Sequence, residues 1–163
     1  MKNAENNDAA SFRLTSPLIL EPGQGETLTG GDASCVFKVT SEVSADRLGV
    51  FEITLEPHTM GATMHYHRFI DETFIVIQGI LTVQSLDKVY ALREGSVAYV
   101  PRLSPHGFSN TSDMPVKLML VFNPAKNREA FFRSLYQIRK AAGPDANEAM
   151  LRLLSEHDSH SVE

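Results

Sequence analysis

The stretch from His65 to Gly79, HYHRFIDETFIVIQG, constrains this chain more than any other. Two histidines two residues apart project from the same side of an extended strand, with Tyr66 pointing the other way. Arg68 and Asp71 flank a short turn, and Glu72 then opens an apolar run over residues 73–77 that ends at Gln78-Gly79. A carboxylate at the head of a strand that doubles back beside the histidines completes a three-donor set. Further on, residues 101–110 read PRLSPHGFSN, and His106, after a loop punctuated by prolines, supplies a fourth donor. Three imidazoles and a carboxylate suit divalent iron, manganese, cobalt, nickel, copper or zinc. On a six-coordinate ion they leave two positions open to water or substrate. A lone histidine is ordinarily a hydrogen-bonded core or surface residue. A clustered set of ionisable groups calls for a shared partner, so metal binding by His65, His67, Glu72 and His106 is the expectation.

These residues resemble the cupin superfamily. Its first signature is His-x-His, three or four residues, Glu, six residues, Gly, matched here by His65, His67, Glu72 and Gly79. Its second is Gly, five residues, Pro-x-Gly, two residues, His, three residues, Asn, matched by Gly95, Pro101, His106 and Asn110. Two positions depart from the pattern: Thr59 stands six residues before His65 where the family has Gly, with Gly61 nearby, and Leu103 stands two after Pro101 in place of Gly. Leucine tolerates positive φ poorly. The loop carrying His106 is therefore expected either to run differently or to narrow the pocket mouth with the Leu103 side chain. The resemblance spans roughly residues 48–125 and implies an all-β fold, a double-stranded β-helix or jelly-roll barrel.

The rest of the chain is consistent with that fold. With 163 residues and 42% hydrophobic content it can bury one core. A formal charge of -5 without a basic stripe argues against a nucleic-acid partner, and no run is long enough to span a bilayer. The N-terminus lacks an apolar signal core, so a cytoplasmic location is expected. The single cysteine, Cys35, alternates with Phe37 and Val39 and reads as a core thiol. Residues 1–16 read as a flexible arm, 17–125 as the barrel and 126–157 as a helical tail packed on it. Within the barrel, residues 18–20, 26–28 and 34–39 read as short strands separated by Pro22-Gly23 and Gly30-Gly31-Asp32. Residues 48–56 alternate with one apolar face, and Asp87-Lys88 is the expected tip of a hairpin. Glu72, Phe74, Val76 and Gln78 share one face of their strand and Thr73, Ile75 and Ile77 the other. Both faces carry apolar residues, so the outer one is expected to be covered by a C-terminal helix or by the second subunit of a homodimer.

In the tail, Phe131, Leu135, Ile138 and Ala142 recur at helical spacing, with Phe132 and Tyr136 widening the stripe. Gly143-Pro144 ends that helix, and Asp145 with Glu148 forms a candidate capping box for a second one carrying Met150, Leu153 and Leu154. The aromatic residues of both helices read as core. His58, beside a turn proline, and His157 and His160, in the polar end, read as solvated. A barrel of this size holds one small ligand, with Phe74, Val76, Phe108, Leu118, Leu120 and either Met119 or Met64 as the expected apolar lining.

Three function classes follow. The first is a metal-dependent dioxygenase, an oxidoreductase acting on a small aromatic or enediol-type substrate, with Glu72 as ligand or as base. The layout of one cupin core, an Asn-Pro-Ala step at residues 123–125 and a helical tail is similar to the quercetin-dioxygenase-like branch, which implies cleavage of an aromatic or enol substrate. The second is a metal-dependent isomerase or lyase using the same donors without dioxygen. The third is a non-enzymatic module that binds a small molecule.

Overall fold

The computed structural model describes residues 16–141 and 143–162; the expected arm over residues 1–16 lies outside them except for the exposed Ser16. Short strands follow closely on one another: β1 (Thr27–Gly30), β2 (Ala33–Val39), β3 (Gly49–Leu55), β4 (Met60–Tyr66), β5 (Asp71–Gln78), β6 (Ile80–Gln84), β7 (Val89–Arg93), β8 (Val97–Val100), β9 (His106–Ser109) and β10 (Val116–Asn123). Two helices follow, α2 (Arg128–Ala141) and α3 (Ala146–Glu156), then a final strand, β11 (His160–Ser161); the single-turn helix α1 (Ser41–Ser44) joins β2 to β3. Antiparallel pairing builds one sheet in the order β1-β2-β3-β10-β5-β8 and a second in the order β11-β4-β9-β6-β7. Among the described residues no helix is long and apolar enough to cross a membrane.

The pleat decides which residues fill the space between the sheets. In β3, Gly49, Phe51, Ile53 and Leu55 are buried while the residues between them are half-buried, and β10 repeats the pattern with Val116, Leu118, Leu120 and Phe122. Registers Leu118–Ile53, Leu118–Val76 and Leu120–Phe74 bring those faces together, and Phe51 packs edge-on against Phe37 at 5.2 Å between ring centroids. Cys35 is part of this core, and burial pushes its thiol far above the ordinary range, leaving an inert neutral side chain. Gly79 takes φ 82 against the Pro115 carbonyl, a left-handed turn that lets β5 reverse into β6.

The structure corrects several local expectations. Residues 18–20 form no strand, and the piece expected over 26–28 is β1, shifted towards Gly30. Helix α1 was not foreseen; Thr40 Oγ1 accepts from Val43 N at its start. Asp145 precedes α3 with φ -89 and ψ 0, outside the extended conformation an N-cap requires, so the capping box does not form. The polar end is only partly solvated, with His157 and His160 half-buried. Beyond residue 157 the chain turns back, and β11 pairs antiparallel with the histidine strand, His160 opposite Tyr66 and Ser161 opposite His65.

Candidate metal centre

Four side chains from three strands and one loop meet at a single point. His65 is the second-last residue of β4 and His67 lies just beyond the strand, Glu72 lies at the head of β5, and His106 opens β9, which pairs with β4 through His106 and His65. One ligand atom from each of the four lies within 4.8 Å of every other. The His65 ring centroid is 4.5 Å from that of His106 and 4.8 Å from that of His67. Glu72 Oε2 lies 2.8 Å from His106 Nε2 and 3.2 Å from His67 Nε2. His67, Glu72 and His106 are buried and His65 half-buried.

The other nitrogen of each ring explains why these four suit a cation. Nδ1–H of His65 donates to the Thr63 carbonyl at 2.8 Å, that of His106 to the Ser104 carbonyl at 3.0 Å and that of His67 to the Asp158 carbonyl at 2.5 Å. An imidazole whose Nδ1 proton is held by a carbonyl turns Nε2 towards the centre of the cluster, the orientation a metal ligand requires. Charge is arranged to match. Burial works against an ionised Glu72, but Nε2–H of His106 and of His67 donates to it, and these bonds outweigh burial and hold the carboxyl well below its usual range; a bound cation would displace both protons. Burial likewise opposes charge on His106, yet its bond to Glu72 raises it, whereas burial pushes His65 down to about 4 against the pull of Glu72. The donor set, one ionised carboxylate and three oriented imidazoles, fits a divalent transition metal.

The loop that delivers His106 places Leu103 in the left-handed region, where the family pattern has glycine. Leu103 itself takes φ 69, its amide donates to the His67 carbonyl at 2.6 Å, and its side chain is 63% exposed. Leu103 is absent from the cavity wall, so it does not narrow that cavity as expected. Arg102 pins the same loop through Asp71, with Nη2 2.9 Å from Oδ2. Asn110, the last residue of the second signature, is buried and donates through Nδ2 to the carbonyls of Leu55, Glu56 and Met114, a scaffold role. His58 is exposed and meets Asp113.

A cavity of about 290 Å³ opens beside the cluster, between the barrel end and the two helices. Of the expected lining, Phe108 and Leu120 face it. Phe74, Val76 and Leu118 do not, nor do Met64 and Met119. Phe74, Val76 and Leu118 lie deeper between the sheets, where side chains fill the interior completely; Phe74 packs on Phe108 at 5.2 Å. The rest of the apolar wall comes from Met60 and Ala62 of β4, Phe122 of β10 and the tail, through Phe131, Phe132 and Leu135 of α2 and Met150 and Leu154 of α3. The helices therefore roof a ligand space as well as closing the core. Gly61 is needed here because a Cβ would overlap the Phe108 ring.

Sequence reasoning missed Arg128. It is buried to 2% exposure at the start of α2, with Cζ 4.8 Å from the Phe122 ring centroid and 4.6 Å from that of Phe131. Nη1 donates to the His157 carbonyl at 2.8 Å and Nη2 to Ser159 Oγ at 3.3 Å. Nη2 also lies 3.2 Å from both nitrogens of His67, an equal approach that only the face of the ring permits. Burial lowers Arg128 to about 10, which leaves it charged at neutral pH. The signal was its position one turn before Phe131 and Phe132 and two before Leu135, on the apolar stripe of the helix.

Comparison with known proteins agrees with this architecture. Residues 51–122 match the family model described as Cupin_2, a cupin domain. The match runs from β3 to β10 of the barrel. Solved structures similar to it include a sugar phosphate isomerase of the cupin superfamily from Silicibacter pomeroyi, 21% identical, covering 67% of this chain and 77% of that one with a TM-score of 0.59. A predicted oxalate decarboxylase from Thermotoga maritima is 16% identical, covering 58% and 82% with a TM-score of 0.54. The Cupin_2 domain of an XRE family transcriptional regulator from Enterobacter cloacae is 17% identical, covering 57% and 97% with a TM-score of 0.51. At these identities the likeness is one of fold, and a cupin barrel serves all three. Comparison with curated protein sequences found no match.

Proposed function

We propose that this cupin is a metal-dependent oxidoreductase of dioxygenase type acting on a small aromatic or enediol-like substrate. The observation that carries the reading is the convergence of four donors at one end of a cavity whose other walls are mainly apolar and aromatic. His65, His67, Glu72 and His106 would hold the ion. A redox-active divalent metal at that point supplies Lewis acidity and access to dioxygen as co-substrate. The chain supplies the rest. Phe108, Phe131 and Phe132 offer flat apolar surface to a planar substrate and exclude water from the reacting face. Glu72 is the single carboxylate on the wall among the described residues, and as an ionised group it accepts the proton of an enol or catechol hydroxyl set against it. Asp158, Thr63 and Ser104 carbonyls hold the three rings in orientation throughout.

The test is oxygen consumption by protein reconstituted separately with iron, manganese, nickel, copper and cobalt, on a panel of flavonols, catechols and enediols. Uptake that depends on both metal and substrate is the expected result. Turnover of an enediol without oxygen would replace this reading with isomerase or lyase chemistry, and tight retention of a ligand with no turnover would replace it with a binding role.

A further inference from the structure

We infer that the cavity selects small organic acids, with Arg128 and Arg139 recognising the anionic group. The substrate class named here rests on the proposed function for the metal, but the two arginines carry the anion preference by themselves. Both line the cavity, Arg128 beside His67 and Arg139 on the next turns of α2, where Nη2 of Arg139 donates to the Gly61 carbonyl at 3.2 Å. Among the described residues neither has a carboxylate at ion-pair distance, and Glu72, the single acid on the wall, already faces His67 and His106.

Arg128 is the more demanding of the two. Its neutral partners are one carbonyl, one hydroxyl and the His67 ring, its Cζ lies 4.8 and 4.6 Å from two phenyl centroids, and its Nε, buried, has no hydrogen-bond partner. The carboxylates that favour its charge, Glu72 and Asp158, lie beyond ion-pair distance and are held by His67 and His106 and by the Arg68 and Phe69 amides. The buried guanidinium therefore stays costly, and a cation bound at the four donors adds to the same excess of positive charge. An anionic ligand entering the cavity relieves both. The wall around it is apolar, from Leu120, Phe131, Leu135, Met150 and Leu154, so the body of the ligand is apolar too. A cavity of about 290 Å³ sits at the small end of ligand sites and limits that body to a ring or a short branched chain. The chemistry that meets these conditions is a carboxylate on a compact hydrophobic skeleton.

Calorimetric titration of the full chain, metal-free and zinc-loaded, with phenylacetate and with its neutral counterpart phenylacetamide tests this. The acid is expected to bind at least about tenfold tighter than the amide in both forms, the usual scale for a charge-assisted contact. Arg128→Met should remove about tenfold of the acid's affinity and leave the amide unchanged; Arg128→Lys, which keeps the charge, should restore part of it. Equal affinities for acid and amide, binding of neither at millimolar concentration, or an equal loss for both in Arg128→Met would overturn the inference. Should Arg128→Met fail to fold, the wild-type comparison and Arg139→Met decide the matter by the same criterion. Zinc content measured alongside separates the two readings. Protein that takes up no metal yet prefers the acid sinks the metal-dependent enzyme and supports the anion site, while metal-loaded protein indifferent to charge does the reverse.

Discussion

Glu72 is buried among three imidazoles, a position a carboxylate occupies at a cost unless it is ionised and shared. Glu72→Gln removes the negative charge, and His106→Ala removes a donor. Each is expected to lower metal affinity about tenfold or more, seen as loss of bound metal after dialysis; full occupancy in both would remove the site assignment. Leu103 makes a separate prediction. A leucine at φ 69 bears left-handed strain of about 1–2 kcal/mol. Leu103→Gly relieves it but gives the unfolded chain more freedom, and little burial is lost at 63% exposure. A net gain of up to about 1 kcal/mol is expected from the denaturation midpoint, and a loss would show that the exposed side chain makes stabilising contacts.

Among the elements, β11 and the turn before it do more than close the sheet. The Asp158 carbonyl orients His67, its carboxylate accepts from Arg68 N and Phe69 N at 3.0 and 2.9 Å, and the His157 carbonyl accepts from Arg128. Ending the chain after Glu156 should therefore weaken metal binding about 10–100-fold, the usual effect of losing a partner that orients a ligand, while far-ultraviolet dichroism stays that of the barrel. Unchanged affinity would show that His67 holds its orientation unaided. Helix α2 is tied to the residue before β1 by Arg133 and Glu26, Nη2 to Oε2 at 2.6 Å, and the guanidinium lowers the Glu26 carboxyl. A depressed carboxylate stabilises the fold above its unfolded value of about 4.3, and the contribution is lost as pH falls through the lower folded value. Both side chains are nearly half exposed, so the contribution is at most about 1 kcal/mol. Wild type and Glu26→Gln should differ by no more than that at pH 7 and converge as pH drops well below 4; a gap that persists in acid would point to another cause.

For the whole molecule, the helices cover the cavity and leave the outer face of β5 and β8 open. Ile75, Ile77, Val97 and Tyr99 stand exposed there at 37, 38, 62 and 63%, with Ile75 opposite Val97 and Thr73 opposite Tyr99. The two expected covers for this face were a C-terminal helix and a second subunit; with the helices elsewhere, we propose the second subunit. Light scattering should give twice the 18.0 kDa chain mass, and Tyr99→Lys should halve it; a monomeric wild type would exclude the dimer. The barrel and the four donors could be read from the chain because both depend on short-range rules. A period of two puts His65 with His67 and Glu72 with Phe74, and the second signature places His106 after its loop. The ligand cavity could not be read that way. Inward-facing Phe74, Val76 and Leu118 carry the same alternation as Leu120, and only the depth of each along the barrel separates packed interior from cavity wall. The roof, the return of β11 to β4 and the burial of Arg128 against His67 join residues some 60 to 90 positions apart. No local pattern encodes such contacts; they follow from where two helices come to rest on the open end of the barrel, which burial of their apolar stripes decides.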